Sequence, residues 1–572
     1  MLGDVTSSKI PSNHRIARFF FSRDAVIHAV MAFAILLLSG CGSDSPVQLN
    51  QNLFVTDADA ARFLEQATWG PSEAGIQEVR QKGLTRFLDE QFMTPASSLG
   101  QYPYVDQTST VGCPSDVPNR NICSRDNYTA FPIQTKFFQN ALYGRDQLRQ
   151  RIAFALSQIF VVSANKVNQT YAMTAYQEIL ARHAFGNFRD ILFAITLSPA
   201  MGRYLDMVNN TKPNPVSGTA PNENYARELL QLFSIGVFLL NQDGTLQKDG
   251  AGRSIPAYDQ DTIEGFAHTF TGWTYPPRPG NLLQPTSLQN YVGSMVAVAS
   301  QHDTGTKNLL NGIVLPAQQT PEKDMNDAIN NVFEHPNVGP FICRQLIQHL
   351  VTSNPSPEYV SRVAGVFNNN GRGVRGDMQA IVKAILLDPE ARGDEKTDPG
   401  FGKLREPAQF IVGLLRALGG RSDGVFPRAQ SAALGQDVYQ APSVFNFYPP
   451  GYPLPGTGLV SPVSAIYTST TALGRANFVY SLLYSNNGIA PDPTVTGATG
   501  TKIDLSPLAA LAGDPQKLMD KLNLVMLHGG MSDAMRNIIV QAINAVPATD
   551  PLARARTAVY LVATSPQYQV ER

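Results

Sequence analysis

Apolar residues recur at three- and four-residue intervals over Ala60–Ala67, Gln147–Val162, Tyr225–Ile235, Tyr359–Phe367 and Phe410–Leu418. That spacing lays one side of a helix against a core. Strand-like alternation is scarce. Between the periodic segments lie connections rich in Pro, Gly, Asn and Ser, chiefly 94–131, 209–222, 274–318, 437–465 and 486–505. The pattern predicts an all-α, multi-helix body with long Pro/Gly-rich surface loops, and loops of that length on a helical frame are often functional. Three further helices are expected to end alike, at Leu197-Ser198-Pro199, Leu387-Asp388-Pro389 and Thr564-Ser565-Pro566. Proline stops a helix and the residue before it can bond the local backbone. Their unequal intervals argue against a solenoid.

The N-terminus reads differently. Lys9, Arg15, Arg18 and Arg23 precede an apolar run from Ala25 to Leu38, which is too short to span a bilayer comfortably and ends Leu38-Ser39-Gly40-Cys41. This resembles a bacterial lipobox, in which the cysteine thiol takes the lipid. Residues 1–40 are therefore expected to be a lipoprotein signal peptide, 41–55 a tether and 56–572 the body, with sub-regions near 56–220, 221–400 and 401–572. Gly42 after the cysteine suggests sorting to an outer membrane. The expected location is the cell envelope, with the membrane engaged through the lipid (palmitate and related acyl chains). In an oxidising compartment Cys113 and Cys123, flanking a polar loop, form a natural disulfide, whereas Cys343 lies in an apolar helix as a buried thiol.

Composition narrows the partners. The chain has 572 residues, 45 basic and 46 acidic side chains, and a net charge of -1, so nothing in its field would hold a nucleic acid. Charged residues are 16%, against roughly 25% in an average soluble protein, and 45 Gly and 40 Pro favour an uncharged, loop-rich surface. Hydrophobic content of 43% excludes a disordered chain.

The common catalytic signatures are absent: no Walker loop, nucleophile elbow, His-Glu-x-x-His or paired Cys-x-x-Cys. Gly371-x-Gly373-x-x-Gly376 follows a helix where a dinucleotide fold needs a strand, and reads as a turn before a helix capped by Asp377. The common nucleophile, zinc and nucleotide readings therefore lack support, and the cofactor is left unknown. The remaining candidates are local. Asn222, Asn224, Arg227 and Glu228 open a helix ending at Gly236; Arg227 either pairs with Glu223 four residues away or stands with Glu228 at a cleft wall. At about 100° per residue, Asp261, Glu264 and His268 form a stripe opposite Ile263, Phe266, Ala267 and Phe270, either a solvated face or three metal-capable side chains lining a cavity. Trp273 closes that segment. His302 beside Asp303 is a candidate acid-base pair, or a turn before Gly305. Arg405, in Lys403-Leu404-Arg405-Glu406-Pro407, is a candidate anion holder. Gln436, Asn446 and Tyr448 lie in a Pro- and aromatic-rich stretch suited either to sugar stacking or to packing on the body.

Several ordered blocks together resemble the bacterial family called domain of unknown function 1800. They are Arg62-Phe63-Leu64-x-Gln66-Ala67-Thr68-Trp69-Gly70-Pro71, Leu148 to Ser157, Ala184-Phe185-Gly186-Asn187-Phe188-Arg189-Asp190, Asn222 to Gly236, Thr271-Gly272-Trp273, His302-Asp303 and Gly435-Gln436. The resemblance runs from about Asp59 to the C-terminus. It implies a secreted or envelope-bound, largely helical protein, often encoded beside a sulfatase-like family, and implies no reaction. Family members often carry Glu-x-x-Glu-Leu-His where this chain has Glu228-x-x-Gln231-Leu232-Phe233, and Arg where His268 stands, which argues against a metal centre at those positions. The expected function is engagement of an envelope or extracellular polymer, carbohydrate favoured, in a cleft joining the Asn222 helix, the Asp261 helix, the His302 loop and the aromatic loop. The alternatives are a hydrolase or lyase using the His-Asp pair with Arg227 or Arg405, and a scaffold for a sulfatase-like protein partner.

Overall fold

A computed structural model describes residues 55–278, 280–485 and 488–572. The signal-peptide, tether and Cys41 assignments fall outside these residues. Helices dominate, and the named strands are two-residue antiparallel pairs, so the protein is an all-α multi-helix body. None of the described helices is long and apolar enough to cross a membrane.

The five periodic segments are the helices Asp57–Ala67, Gln147–Ile159, Asn224–Gln231, Pro357–Asn368 and Pro407–Ala417. Each sends its apolar side into one continuous core that includes Phe63, Ile152, Leu229, Val363 and Leu414, all fully buried. On the Gln260–Thr269 helix, Ile263, Phe266 and Ala267 are buried as the angular count requires. The 94–131 connection is less irregular than its composition suggests. Pro118 sits in the first turn of a helix, Val117–Asn127, where its missing N–H costs nothing. The Cys113–Cys123 disulfide closes this segment on itself, and Cys343 is a buried free thiol.

The three proline-ended helices do more than stop. Pro199, Pro389 and Pro566 each begin a second, short helix, with Ser198, Asp388 and Ser565 as its N-cap. Asp388 and Ser565 accept from the backbone N–H of Glu390 and Tyr568. Proline fits the first helical position and polar residues fit the cap, so the same dipeptide ends one helix and starts the next. The glycine motif at 371–376 is a turn, with all three glycines at positive φ, and Asp377 caps the Met378–Leu387 helix through Ala380 N.

Candidate functional site

The best-formed pocket lies between the Gln147–Ile159 helix, the Val338–Leu350 helix, the Lys403–Glu406 segment and the loop 444–463. About 80 Å³ is open to the centres of water-sized groups, within a wider depression of about 750 Å³. A single water needs only ~10–15 Å³ by the first measure. Its lining mixes apolar faces, Phe341, Phe445 and Pro450 among them, with Gln158, His349, Lys403, Asn446 and Tyr448.

Glu406 organises the polar side. It is the N-cap residue of the Pro407–Ala417 helix but makes no cap bond, and the helix start is served instead by Gln436 Oε1, which accepts from Ala408 N at 3.0 Å. The freed carboxylate turns inward. Its Oε2 accepts from Gln436 Nε2 at 2.6 Å, Tyr448 OH at 2.8 Å and Gln158 Nε2 at 3.1 Å, and its Oε1 stands 3.6 Å from the buried Arg151. Burial pushes this carboxyl's pKa up, but Lys403, Arg151 and the Gln436 bond outweigh it and hold the group below the usual carboxylate range. Burial, reinforced by Glu406, pushes the Tyr448 phenol far up, so it remains a donor. Asn446 Nδ2 and Tyr448 OH both reach Gln158 Oε1, at 3.1 and 2.9 Å, which fastens the aromatic loop to the body.

The chemistry left over favours acceptors. Asn446 and Gln348 commit their amide N–H groups to Gln158 and to the carbonyls of Ser353 and Pro450. Among the described residues nothing donates to their carbonyl oxygens. Half-buried His349 has its pKa pushed down by burial to about 4, against the pull of Glu406, and is neutral at pH 7. Lys403 is held by Glu571 Oε2 at 2.9 Å and Gln409 Oε1 at 2.7 Å.

Only part of the expected cleft forms here. Asn446 and Tyr448 line the pocket and Gln436 supports it from behind. Arg227, Glu228, Trp273, His302 and Arg405 do not line it. Arg405, expected to hold an anion, is fully buried and spends its guanidinium on Glu65, at 2.8 Å, and on the carbonyl of Tyr568. Arg227 makes the surface pair with Glu223, at 2.8 Å. Glu228 is buried with its pKa raised by desolvation, and its Oε2 has no partner among the described residues. Asn222 and Asn224 bond Asn210 and Asp206 near the start of their helix, and Trp273 is core. Gln158, His349, Lys403 and Glu406 were missed. The available signal was the Lys403–Pro407 block itself, in which attention fell on Arg405.

His302 and Asp303 do not pair with each other; the turn is present, with Asp303 Oδ1 accepting from Gly305 N at 2.7 Å. The backbone at His302 is extended (φ -82°, ψ 143°), so neighbouring side chains point to opposite sides. His302 turns inward, with Nε2 2.9 Å from Asp324, a carboxylate also held by Lys307 at 2.7 Å. Asp303 turns outward and pairs with Nδ1 of His268, on the acidic stripe of the Gln260–Thr269 helix. Burial raises the Asp303 pKa, but the His268 and Gly305 bonds prevail and lower it. Gly272 permits this approach: it has φ +83°, and a Cβ there would meet the His302 backbone at 2.9 Å. The side chain of His268 is 33% exposed. Among the described residues no His, Cys, Asp and Glu cluster could hold a metal ion.

A family model described as "Protein of unknown function (DUF1800)" matches residues 62–570, nearly the whole chain. The chain belongs to this family. No curated protein and no solved structure matches it. In this DUF1800 protein five of the seven sequence blocks gather in two places. Arg151 and Gln436, from two blocks, meet at Glu406. The Asn222, Thr271 and His302 blocks meet around Asn210 and Thr271, where Asn210 accepts from Asn222 N and from Gly272 N, both at 2.8 Å, and Asp303 N donates to Thr271 Oγ1 at 2.8 Å.

Proposed function

We propose that this protein is an envelope lipoprotein, anchored through Cys41, whose pocket binds a hydroxyl-rich group of an extracellular or envelope carbohydrate. One observation carries the proposal: a mostly apolar pocket whose free polar atoms are mainly amide carbonyls and a neutral imidazole, walled by Phe445 and proline faces. Sugar hydroxyls donate to such acceptors, and their C–H faces stack on flat apolar groups. The small enclosed volume suits one terminal or branching unit, with the polymer lying across the rim at Phe445, which is 53% exposed. Binding is favoured over hydrolysis at this pocket because Glu406 is its single lining carboxylate, whereas glycoside hydrolysis ordinarily takes two carboxyl groups. The surface disulfide accords with an oxidising compartment.

A second function, hydrolysis, is favoured by the His268–Asp303 pair, in which the carboxylate orients an imidazole whose side chain is partly open to solvent. One experiment separates them. The mature body, lacking Cys41, is incubated with envelope and extracellular polysaccharides, and both retention and new chain ends are read. Retention lost in Phe445→Ala and Asn446→Ala, without new ends, supports the binding site. New ends that vanish in His268→Ala establish the hydrolase, and neither signal leaves a scaffold for a protein partner such as the sulfatase-like one.

A further inference from the structure

A second cavity, of about 770 Å³, opens on another part of the body, between the Glu73–Lys82 and Leu84–Met93 helices and the turn at 142–147 that leads into the Gln147–Ile159 helix. Its lining is roughly half polar, with Ser72, Thr94, Gln91 and Tyr143 set among Leu64, Phe87 and Leu142. Arg416, from the Pro407–Ala417 helix, reaches it.

Arg416 is an unbalanced cation. Its Nε donates to the carbonyl of Gly70 at 2.9 Å and its Nη1 to the carbonyl of Leu142 at 3.2 Å, while Nη2 has no protein acceptor among the described residues. No carboxylate lies within ion-pair distance of it among those residues. Burial pushes its pKa down to about 10, with the more distant Glu65 only partly offsetting the cost. A guanidinium held in this way, with neutral acceptors on two nitrogens and the third left over, is a poised half of a charge-assisted pair. The cavity's own carboxylates do not supply the other half. Glu78 and Glu90 are both bound by Lys82, at 2.7 and 2.6 Å, and Glu90 also by Arg86 at 3.1 Å. Arg145, exposed on the same lining, adds a second cation without an ion pair among the described residues.

The backbone that presents Arg416 is fixed by close packing. Gly70 has φ +112°, and a Cβ there would come within 2.9 Å of Gly413 Cα, one turn before Arg416. The Trp69-Gly70-Pro71 turn can therefore sit directly on the Pro407–Ala417 helix and offer its carbonyl to the guanidinium.

We propose that this cavity is a second ligand site, for a carboxylate-bearing sugar of the uronic acid class, with the carboxylate on Arg416 Nη2 and hydroxyls on Ser72 Oγ, which accepts from Gly75 N and keeps its own proton to donate, and on Thr94 Oγ1, which donates to the Glu90 carbonyl and can still accept. A single free guanidinium nitrogen suits a carboxylate monoanion better than a phosphate dianion. The cavity walls are helices and turns without a free strand edge, which suits a sugar better than an extended peptide. The site is independent of the pocket at Glu406.

The test is calorimetric titration of the mature body with a trimer of galacturonic acid, beside a neutral glucose trimer and an oligoglutamate of equal charge. The titrations are run with Asn446→Ala, which silences the pocket at Glu406, and there binding is expected for the uronate alone and weakens as salt is raised. Arg416→Gln should weaken it about tenfold or more, as loss of a hydrogen bond to a charged group does. Ala74→Glu and Arg145→Ala, at exposed positions on the same lining, should weaken it about two- to fivefold and keep the test valid if Arg416→Gln fails to fold. The proposal is overturned if the uronate does not bind, if the neutral trimer binds equally well, if the folded variants leave affinity unaltered, or if oligoglutamate binds and the uronate does not.

Discussion

Acid should weaken this protein well above the range in which its carboxylates protonate, and His335 is the residue that makes the effect measurable. Its ring is buried, 1% exposed, and Nδ1 accepts from the backbone N–H of Asn337 at 3.2 Å, which requires that nitrogen to be unprotonated. Burial, with Arg375 adding to it, brings the pKa down to about 4 from an ordinary value near 6.5. The folded-state pKa is depressed, so the unfolded chain takes up the proton first on acidification. The stability is complete above pH 6.5 and is lost as pH falls toward 4. With those two pKa values the loss at pH 4.5 is about 2.5 kcal/mol relative to pH 7.5. The assay is urea unfolding of the mature body at both pH values, for the native sequence and for His335→Asn. The variant starts weaker at neutral pH, but its pH difference should be smaller by about 2 kcal/mol. An unchanged pH difference would mean that His335 is as easily protonated folded as unfolded, and the burial argument would fail.

Other outcomes follow from the same contacts. Glu406→Leu leaves Arg151 buried without its carboxylate and strands three donors, and should cost about 3–5 kcal/mol in urea unfolding, whereas Tyr448→Phe should cost about 1 kcal/mol. His302→Ala should cost about 3 kcal/mol by opening the buried Asp324–Lys307 cluster, and His268→Ala, on a partly exposed ring, less than about 1 kcal/mol. Reducing the Cys113–Cys123 bond, which spans a separation of 10 residues, should cost this segment about 2–3 kcal/mol of local stability and be read as faster proteolysis between 108 and 127.

What was legible in the sequence were features set by near neighbours. The Ser-Pro and Asp-Pro helix junctions, the Asp377 cap and the glycine turn all act within a few residues. The Cys113–Cys123 pair and the inward face of the Gln260–Thr269 helix are likewise local. The pocket was not legible, because its bonds span the chain: Gln158 meets Glu406 across 248 positions and Asn446 across 288. Adjacency misled at His302, where extended backbone sends successive side chains apart and gives each a distant partner. Arg405 misled for a related reason, since its charge signalled a ligand and its partner, Glu65, lies 340 positions away.

The distribution of carboxylates bears on how the proposed binding and hydrolysis would divide between the two block assemblies. Around Glu406 three donors converge on Oε2 while Arg151 stands 3.6 Å from Oε1, so the side chains bonded to this carboxylate are fixed. That arrangement preorganises a binding surface and leaves little capacity to exchange a proton. Around His268 the reverse holds: Asp303 engages one ring nitrogen, and the side chain remains partly open to solvent. A ligand could be gripped at the first place and altered only at the second. On the proposed reading, a ligand that fills only the Glu406 pocket is bound without being cleaved, and cleavage is expected only of chains that also reach His268. Equal cleavage of short and long chains would refute that division.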